Sequence, residues 1–169
     1  MSWTRHEDRS NDGLVVYYVA DIWLRSSEYL RTAYVTNGYR SVHDMAAESN
    51  AILAIDGDYA FSREYGPIVR NGAFLRDTGF DDILVYYTDG SMRIFRGNAF
   101  DMDAEMEKGA VQVWSFGPAL LDAEGKSIDK FNTNIAGLNP RAALGYYEPG
   151  HYCFVVVDGR GENGSRGYK

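Results

Sequence analysis

The sequence has little of what disulfide or metal cross-links require. Its 169 residues include one cysteine, Cys153, so no disulfide can form within the chain. The three histidines, His6, His43 and His151, are far apart in sequence, and none has a second ligand at zinc-site spacing. We therefore expect no metal site and no cofactor.

Long apolar runs are also missing. No segment approaches the roughly 20 apolar residues that a transmembrane helix needs. Near the N-terminus, Trp3, Arg5 and Glu7 interrupt the stretch where a signal peptide would have its apolar core. We therefore expect neither a transmembrane segment nor a signal peptide in this chain.

Basic residues are outnumbered by acidic ones. The chain has 17 Lys and Arg against 24 Asp and Glu, which gives a net charge of −7. Binding the phosphates of a nucleic acid requires a basic face, so the balance argues against nucleic acid as a partner. Two arginines that face one phosphate are still compatible with this charge.

The composition is otherwise that of a soluble globular protein, with 45% hydrophobic and 24% charged residues. Aromatic residues reach 14%, including 13 tyrosines. They favour strands, and they also suit the faces of sugars. The mixed charges of residues 1–12 predict a loose N-terminal arm, followed by one domain over residues 13–169.

Runs of apolar and β-branched residues predict most of the secondary structure as strands. These runs cover residues 14–24, 51–55, 83–87, 91–95, 110–115 and 152–157. Residues 51–55 predict a buried strand, and the near-continuous apolar run 152–157 predicts a central strand covered on both faces. Asn71-Gly72 and Asp89-Gly90 predict tight turns.

Short helices are predicted where an N-cap residue precedes a periodic apolar pattern. Residues 41–49 fit this pattern with Ser41 as the cap, and residues 26–34, which open with Ser26 or Ser27, predict a helical turn. The acidic run 101–108 predicts a short helix that Gly109 ends. Residues 127–138 are polar and predict irregular structure. Many strands with a few short helices indicate the α+β class.

Polar residues cluster where predicted strands end. Asp56-Gly57-Asp58, Arg70-Asn71-Gly72 and Asp158-Gly159-Arg160 each follow an apolar run. Loops that leave a rigid sheet often carry functional residues, and glycine lets the backbone approach a ligand closely. Each cluster alone is also an ordinary turn, so only their combination points to a site.

Five segments in this order resemble the phosphodiester glycosidase family. They are NAILAIDGDYAF, VRNG, SFGPALL, NPRAALGYY and HYCFVVVDGR, followed by Ser165 and Gly167, and the resemblance runs from about Val15 to Gly167. It implies an α+β domain of mixed β-sheets with a few short flanking helices. It also implies a hydrolase that cleaves an N-acetylglucosamine-like sugar from a sugar-1-phosphodiester, in envelope or exopolysaccharide metabolism and outside the cytoplasm.

The resemblance implies roles for the residues at the strand ends. Phosphate leaves as a stable anion, so such a site needs cations on the phosphate and a carboxylate near the anomeric carbon. The candidate carboxylates are Asp158, Asp58 and Asp56, and the candidate cations are Arg70, Arg141 and Arg160. Further candidates for substrate binding are Tyr59, Asn71, Gly72, Gly57, Gly117, Gly159 and Ser165.

Simpler structural roles are open for the same residues. Asp158 and Arg160 can pair with each other, Arg141 can be a surface residue, and Asp58 can cap a neighbouring element.

Two departures from the family pattern favour an alternative function. Asp56 stands where the family usually has asparagine, and its charge would repel a phosphate. The family pattern also continues with a helix, a strand and a Leu-Asp-Gly-Gly-Gly-Ser-Ser type segment, so we expect this chain to lack the family's C-terminal part. The alternative is a catalytically inactive domain that binds carbohydrate or sugar phosphate.

Overall fold

The computed structural model describes residues 1–10, 13–79, 82–115, 117–131 and 137–168. These residues form nine strands and two α-helices. The strands are Ser2–Ser10 (β1), Gly13–Trp23 (β2), Ile68–Arg70 (β3), Ala73–Arg76 (β4), Asp82–Tyr87 (β5), Met92–Arg96 (β6), Ala110–Trp114 (β7), Arg141–Glu148 (β8) and His151–Val157 (β9). The helices are Val42–Glu48 (α1) and Met102–Glu107 (α2), and single 3-10 turns lie at Ser27–Tyr29, Gly97–Ala99 and Glu162–Gly164.

The chain divides into two units, each with its own sheet. Unit 1 comprises Met1–Arg25 with Asn134–Lys169, and unit 2 is the intervening segment Ser26–Thr133. Every strand pairing in the described residues is antiparallel. Sheets with a few short helices confirm the predicted α+β class.

Unit 1 is built on a four-stranded sheet in the order β1-β2-β9-β8. Its buried side chains come mainly from β2 and β9, among them Val16 at 0% exposure and Tyr152 at 1%. The central position predicted for the 152–157 run is confirmed, but cover on both faces is wrong, since Val156 is 39% exposed. An antiparallel sheet needs burial on one face only, whatever the length of its apolar run.

The first residues form a strand rather than the predicted loose arm. Residues 2–10 pair in continuous register with β2, from Ser2 opposite Asp21 to Ser10 opposite Gly13. Their polar composition was misleading because an edge strand can leave its side chains in water while its backbone joins the ladder. The predicted domain boundary at residue 13 therefore falls within the β1–β2 hairpin.

Unit 2 is built on a five-stranded sheet in the order β4-β3-β7-β5-β6. The predicted hairpin of residues 83–95 is confirmed as β5 and β6, and the turn at Asn71-Gly72 joins β3 to β4. The core lies between this sheet and α2. It comprises Val69, Ile83, Val85, Tyr87, Phe95, Met102, Ala110 and Val113.

Both predicted helices are present, and α1 begins at the predicted cap. The Ser41 side chain accepts a hydrogen bond from Asp44 N at the start of α1, and Asp101 accepts one from Ala104 N at α2. Gly109, with φ of 93°, follows α2. The predicted irregular segment has no helix or strand over residues 127–131 and 137–138, and its residues 132–136 lie outside the described residues.

The buried strand predicted over residues 51–55 is wrong. This segment has no regular structure and pairs with no strand in the described residues. Ile52 is 90% exposed and Leu53 37%. An apolar run becomes a buried strand only where a neighbouring strand satisfies the hydrogen bonds of its backbone. No described strand lies beside residues 51–55 to do so.

Candidate functional site

The guanidinium of Arg70 is completely enclosed in unit 2. Arg70 ends β3, and its side chain has 0% exposure. Its Nη2 donates to both carboxylate oxygens of Asp58, at 2.6 and 2.7 Å, while Nη1 donates to the carbonyls of Val69 and Val113. Its Nε has no hydrogen-bond partner among the described residues. Arg70 therefore contacts Asp58 and the sheet rather than solvent.

Asp58 ties the irregular segment after α1 to the ends of two strands. Its side chain is 8% exposed, and its Oδ2 accepts from Ser115 N at 3.4 Å as well as from Arg70. Ser115, the residue after β7, is itself buried and donates its hydroxyl to Pro67 O at 3.3 Å. One carboxylate is thus fixed by the guanidinium of Arg70 and by the backbone that follows β7.

The turn that follows Arg70 is anchored by a buried glutamine. Asn71 and Gly72 have φ of 53° and 84°, as a two-residue hairpin turn requires. Asn71 N donates to Gln112 Oε1 at 3.0 Å, and Gln112 Nε2 donates to Asn71 Oδ1 at 2.7 Å. Asn71 Nδ2 also donates to Thr32 O at 2.9 Å. These contacts orient the turn.

Sequence reasoning missed Gln112. The available signal was a polar residue in the middle of an apolar strand.

Arg76 organises the loop that follows Asp58. Its guanidinium donates to four backbone carbonyls: Gly66 at 2.8 Å, Arg63 at 2.6 Å, Ala60 at 3.0 Å and Tyr65 at 2.8 Å. Five donors in a rigid fork allow one arginine to hold several turns of backbone at once. No sequence signal distinguished Arg76 from a surface arginine at a strand end.

This loop carries exposed aromatic side chains beside Asp58. Tyr59 is 49% exposed and Tyr65 52%, and the guanidinium of Arg63 lies 6.0 Å and 5.5 Å from their ring centroids. Phe61 stacks on Tyr34 at 5.3 Å. Rings of this kind can pack on the apolar face of a sugar.

Three further candidates lie in open parts of unit 2. Asp56 is exposed, and a side chain added at Gly57 or Gly117 would meet nothing within 4 Å. Gly117 has φ of 89°, which favours glycine there. The space around both glycines leaves their backbone accessible to a ligand.

Unit 1 holds a second group of predicted residues, after β9. Asp158 N donates to Val16 O at 2.9 Å, and its Oδ2 accepts from Asn163 Nδ2 at 2.8 Å. Ser165 has 0% exposure; its hydroxyl donates to Asp158 O at 2.7 Å and accepts from Val16 N at 3.1 Å. Ser165 therefore fixes the backbone on which the Asp158 carboxylate stands.

The two candidate arginines of unit 1, Arg141 and Arg160, differ in their surroundings. Arg141 donates from Nε to Tyr168 O at 3.0 Å and from Nη2 to Gly137 O at 2.6 Å. Arg160 is exposed with φ of 57°, and Asp158 does not form an ion pair with it in the described residues. A Cβ on Gly159 would lie 2.5 Å from Pro140 N, so glycine is required there for close backbone packing.

The predicted site residues thus form two groups, one in each unit. Unit 2 brings together Asp58 and Arg70 and places the turn residues Asn71 and Gly72 directly after them. Unit 1 brings together Asp158 and Ser165. Within the described part of the chain, no three His, Cys, Asp or Glu side chains are grouped as a metal site would require. No α-helix there has the length and apolar character to span a bilayer.

Comparison with known proteins supports the family resemblance. The sequence profile of the phosphodiester glycosidase family matches residues 49–169. A curated relative, the SPbeta prophage-derived uncharacterized protein YomE of Bacillus subtilis (strain 168), is 27% identical in an alignment of length 135 that covers 74% of this chain. The chain spans only 21% of that protein's length.

A solved structure shares the fold. The zebrafish N-acetylglucosamine-1-phosphodiester alpha-N-acetylglucosaminidase catalytic domain, auto-inhibited by its pro-peptide, superposes with a TM-score of 0.57 at 15% identity. The match covers 94% of this chain and 60% of the zebrafish chain. The family profile covers most of the sequence, including both groups of strand-end residues. The chain therefore belongs to the phosphodiester glycosidase family.

Proposed function

We propose that this chain hydrolyses sugar-1-phosphodiesters, with an N-acetylglucosamine-like sugar as the group released. In this reaction the bond between the anomeric carbon and the phosphate oxygen breaks. Water supplies the new hydroxyl on the anomeric carbon, and its other proton is left with the phosphate monoester or the solvent. Because the leaving phosphate is already a stable anion, the site needs little general-acid assistance.

The buried Arg70–Asp58 pair is the observation that carries the proposal. Burying a charged side chain costs roughly several kcal/mol per ion. An apolar pair of similar size often stabilises a fold as well as a buried ion pair, or better. Stability alone is therefore a weak reason for a fully enclosed arginine in this core. A reason that fits the geometry is that Arg70 holds the Asp58 carboxylate in one position beside the aromatic loop.

We assign roles on this basis. Asp58 is the carboxylate that stabilises positive charge at the anomeric carbon, and Arg70 is its positioning residue. Asp158 and Asp56 remain the other candidate carboxylates. Within unit 1, the exposed Arg160 and the half-buried Arg141 are the candidates for binding phosphate with Asp158 as their carboxylate. Within unit 2, Tyr59 is the candidate for packing on the sugar ring beside Asp58.

The proposed setting follows from the resemblance. We propose that the substrate is an envelope or exopolysaccharide polymer and that the chain acts outside the cytoplasm.

The test is release of N-acetylglucosamine from its 1-phosphodiester with methanol, measured by the new reducing end. The parent chain is compared with Asp58→Asn, Asp158→Asn and Asp56→Asn, with the exposed Asp129→Asn as matched control. Circular dichroism checks that each variant folds. We expect turnover by the parent and by Asp129→Asn, and about a 100-fold or larger loss in Asp58→Asn.

Two outcomes would overturn parts of the proposal. Full activity in a folded Asp58→Asn variant would remove Asp58 from the reaction, and loss only in Asp158→Asn would move the catalytic carboxylate to unit 1. A folded parent that binds the diester without turnover would support the alternative, a sugar-phosphate-binding domain. Calorimetric titration with the same diester distinguishes that result from no binding.

A further inference from the structure

Strand β1 is a long, solvent-exposed edge. It ends the unit 1 sheet and pairs only with β2 in the described residues. Residues 2–9 are all exposed, so no side chain in this part of β1 belongs to the core. The outer edge of such a strand offers backbone N–H and C=O groups to another chain.

The charges along β1 alternate in sign on one face. Because side chains of a strand alternate between faces, Trp3, Arg5, Glu7 and Arg9 share one side. In the single chain, Arg5 Nη1 lies 2.7 Å from Glu7 Oε1, with side chains 41% and 51% exposed. Edges that resist pairing present charges that repel a second copy, whereas this order of signs complements itself when the strand is reversed.

We infer that β1 pairs antiparallel with β1 of a second copy of this chain, with the two-fold axis at His6. In that register Arg5 lies opposite Glu7 of the second copy, and the same contact occurs again across the axis. Trp3 lies opposite Arg9, where a guanidinium can stack on the indole. On the other face, Thr4 lies opposite Asp8. The two four-stranded sheets then become one continuous sheet.

The neighbouring registers are unfavourable. A symmetric antiparallel pair can shift only in steps that keep each residue opposite another of the same face. One step towards the N-terminus places Arg5 opposite Arg5 of the second copy. One step towards the C-terminus places Arg5 opposite Arg9 and Glu7 opposite Glu7. Only the His6-centred register among the three has no like charges directly opposite each other.

Sedimentation velocity across protein concentration tests the dimer. The parent is expected to change from the 19.0 kDa monomer towards twice that mass as concentration rises. Single reversals, Glu7→Arg or Arg5→Glu, place like charges opposite each other and should raise the dimer dissociation constant about tenfold or more. Glu48→Arg, which breaks the exposed Arg40–Glu48 pair in unit 2, is the matched control and should leave the constant unchanged.

Charge exchange gives the decisive comparison. The double variant Arg5→Glu/Glu7→Arg restores opposite charges in the same register and should dimerise like the parent. A mixture of the Arg5→Glu and Glu7→Arg chains should form the heterodimer, because one strand is then acidic and the other basic at both positions. If the single reversals weaken dimerisation but neither the double variant nor the mixture restores it, β1 does not pair with itself in this register.

A cross-link tests the axis directly. In a Cys153→Ser background, His6→Cys should form an interchain disulfide on oxidation, because residue 6 lies opposite itself at a distance that a disulfide spans. Thr4→Cys, which lies opposite Asp8, should cross-link far less. A parent chain that is monomeric at about 0.5 mM, far above the micromolar range of ordinary specific association, would overturn the inference.

Discussion

The enclosed Arg70–Asp58 pair predicts a large loss of stability when the carboxylate alone is removed. In Asp58→Ala, the Arg70 Nη2 loses the acceptor that now lies at 2.6 and 2.7 Å. The positive charge stays in place, since the arginine side chain has 0% exposure. Its remaining contacts are the carbonyls of Val69 and Val113, which do not neutralise it.

The expected magnitude follows from that stranded charge. Breaking a buried ion pair by removing one partner typically costs about 3–5 kcal/mol. A domain of this size is stable by only about 5–15 kcal/mol, so the variant should unfold at much lower denaturant concentration. Replacing both partners with apolar residues, as in Asp58→Leu/Arg70→Met, removes both charges. That double variant should lie within about 2 kcal/mol of the parent.

Urea unfolding at pH 7, followed by tryptophan fluorescence and circular dichroism, measures both effects. Asp129→Ala, at an exposed position, is the control and should change the free energy of unfolding by less than about 0.5 kcal/mol. A loss of less than about 1 kcal/mol in the free energy of unfolding of Asp58→Ala would refute the argument, because a buried guanidinium without its acceptor costs more than that. A double variant as unstable as the single would refute the charge as the cause.

Three further predictions concern other contacts. Arg76→Met should lower the free energy of unfolding by about 2 kcal/mol and open the 60–66 loop to limited proteolysis, because four carbonyls lose their donor; Arg76→Lys should restore only part of this. Gly167→Ala should destabilise unit 1 more than Gly161→Ala. Both glycines have φ near 90°, but only at Gly167 would the new Cβ lie 2.5 Å from Asn139 O. Equal losses in the free energy of unfolding, measured in urea, would contradict the clash. Burial and the hydrogen bond to Glu105 raise the pKa of Tyr87 above the ordinary tyrosine value of 10.0. Its contribution to stability is therefore full below pH 10 and is lost as pH rises through the folded-state pKa; Tyr87→Phe should flatten the alkaline limb of a stability-against-pH curve.

Local sequence chemistry predicted much of the secondary structure. The helix cap at Ser41, the helix end at Gly109 and the turn at Asn71-Gly72 are short-range signals, because a side chain or a positive φ satisfies the backbone within a few residues. The predictions were wrong where pairing between distant segments decides whether a segment forms a strand. Residues 2–10 became a strand because β2 lies beside them, and residues 51–55 did not because no described strand does.

The candidate site shows the same division. Placement after an apolar run was enough to select Asp58 and Arg70, but not to predict that the enclosed Arg70 holds the Asp58 carboxylate. Such a contact depends on how β3 and β7 bring distant residues together. Gln112 and Arg76 were missed for the same reason, since their partners lie in other segments of the chain.

The discontinuity of unit 1 has a consequence for biosynthesis. On the ribosome, β1 and β2 are translated before unit 2, yet β9, the strand that pairs with the inner edge of β2, is translated only after unit 2. A two-stranded hairpin is at best marginally stable in water. The inner edge of the nascent β1–β2 hairpin therefore stays unpaired while unit 2, which is one continuous segment, is translated and can fold. Closing the unit 1 sheet is a late, non-local step, and it is the stage at which a slow or stalled translation would leave the chain most open to aggregation.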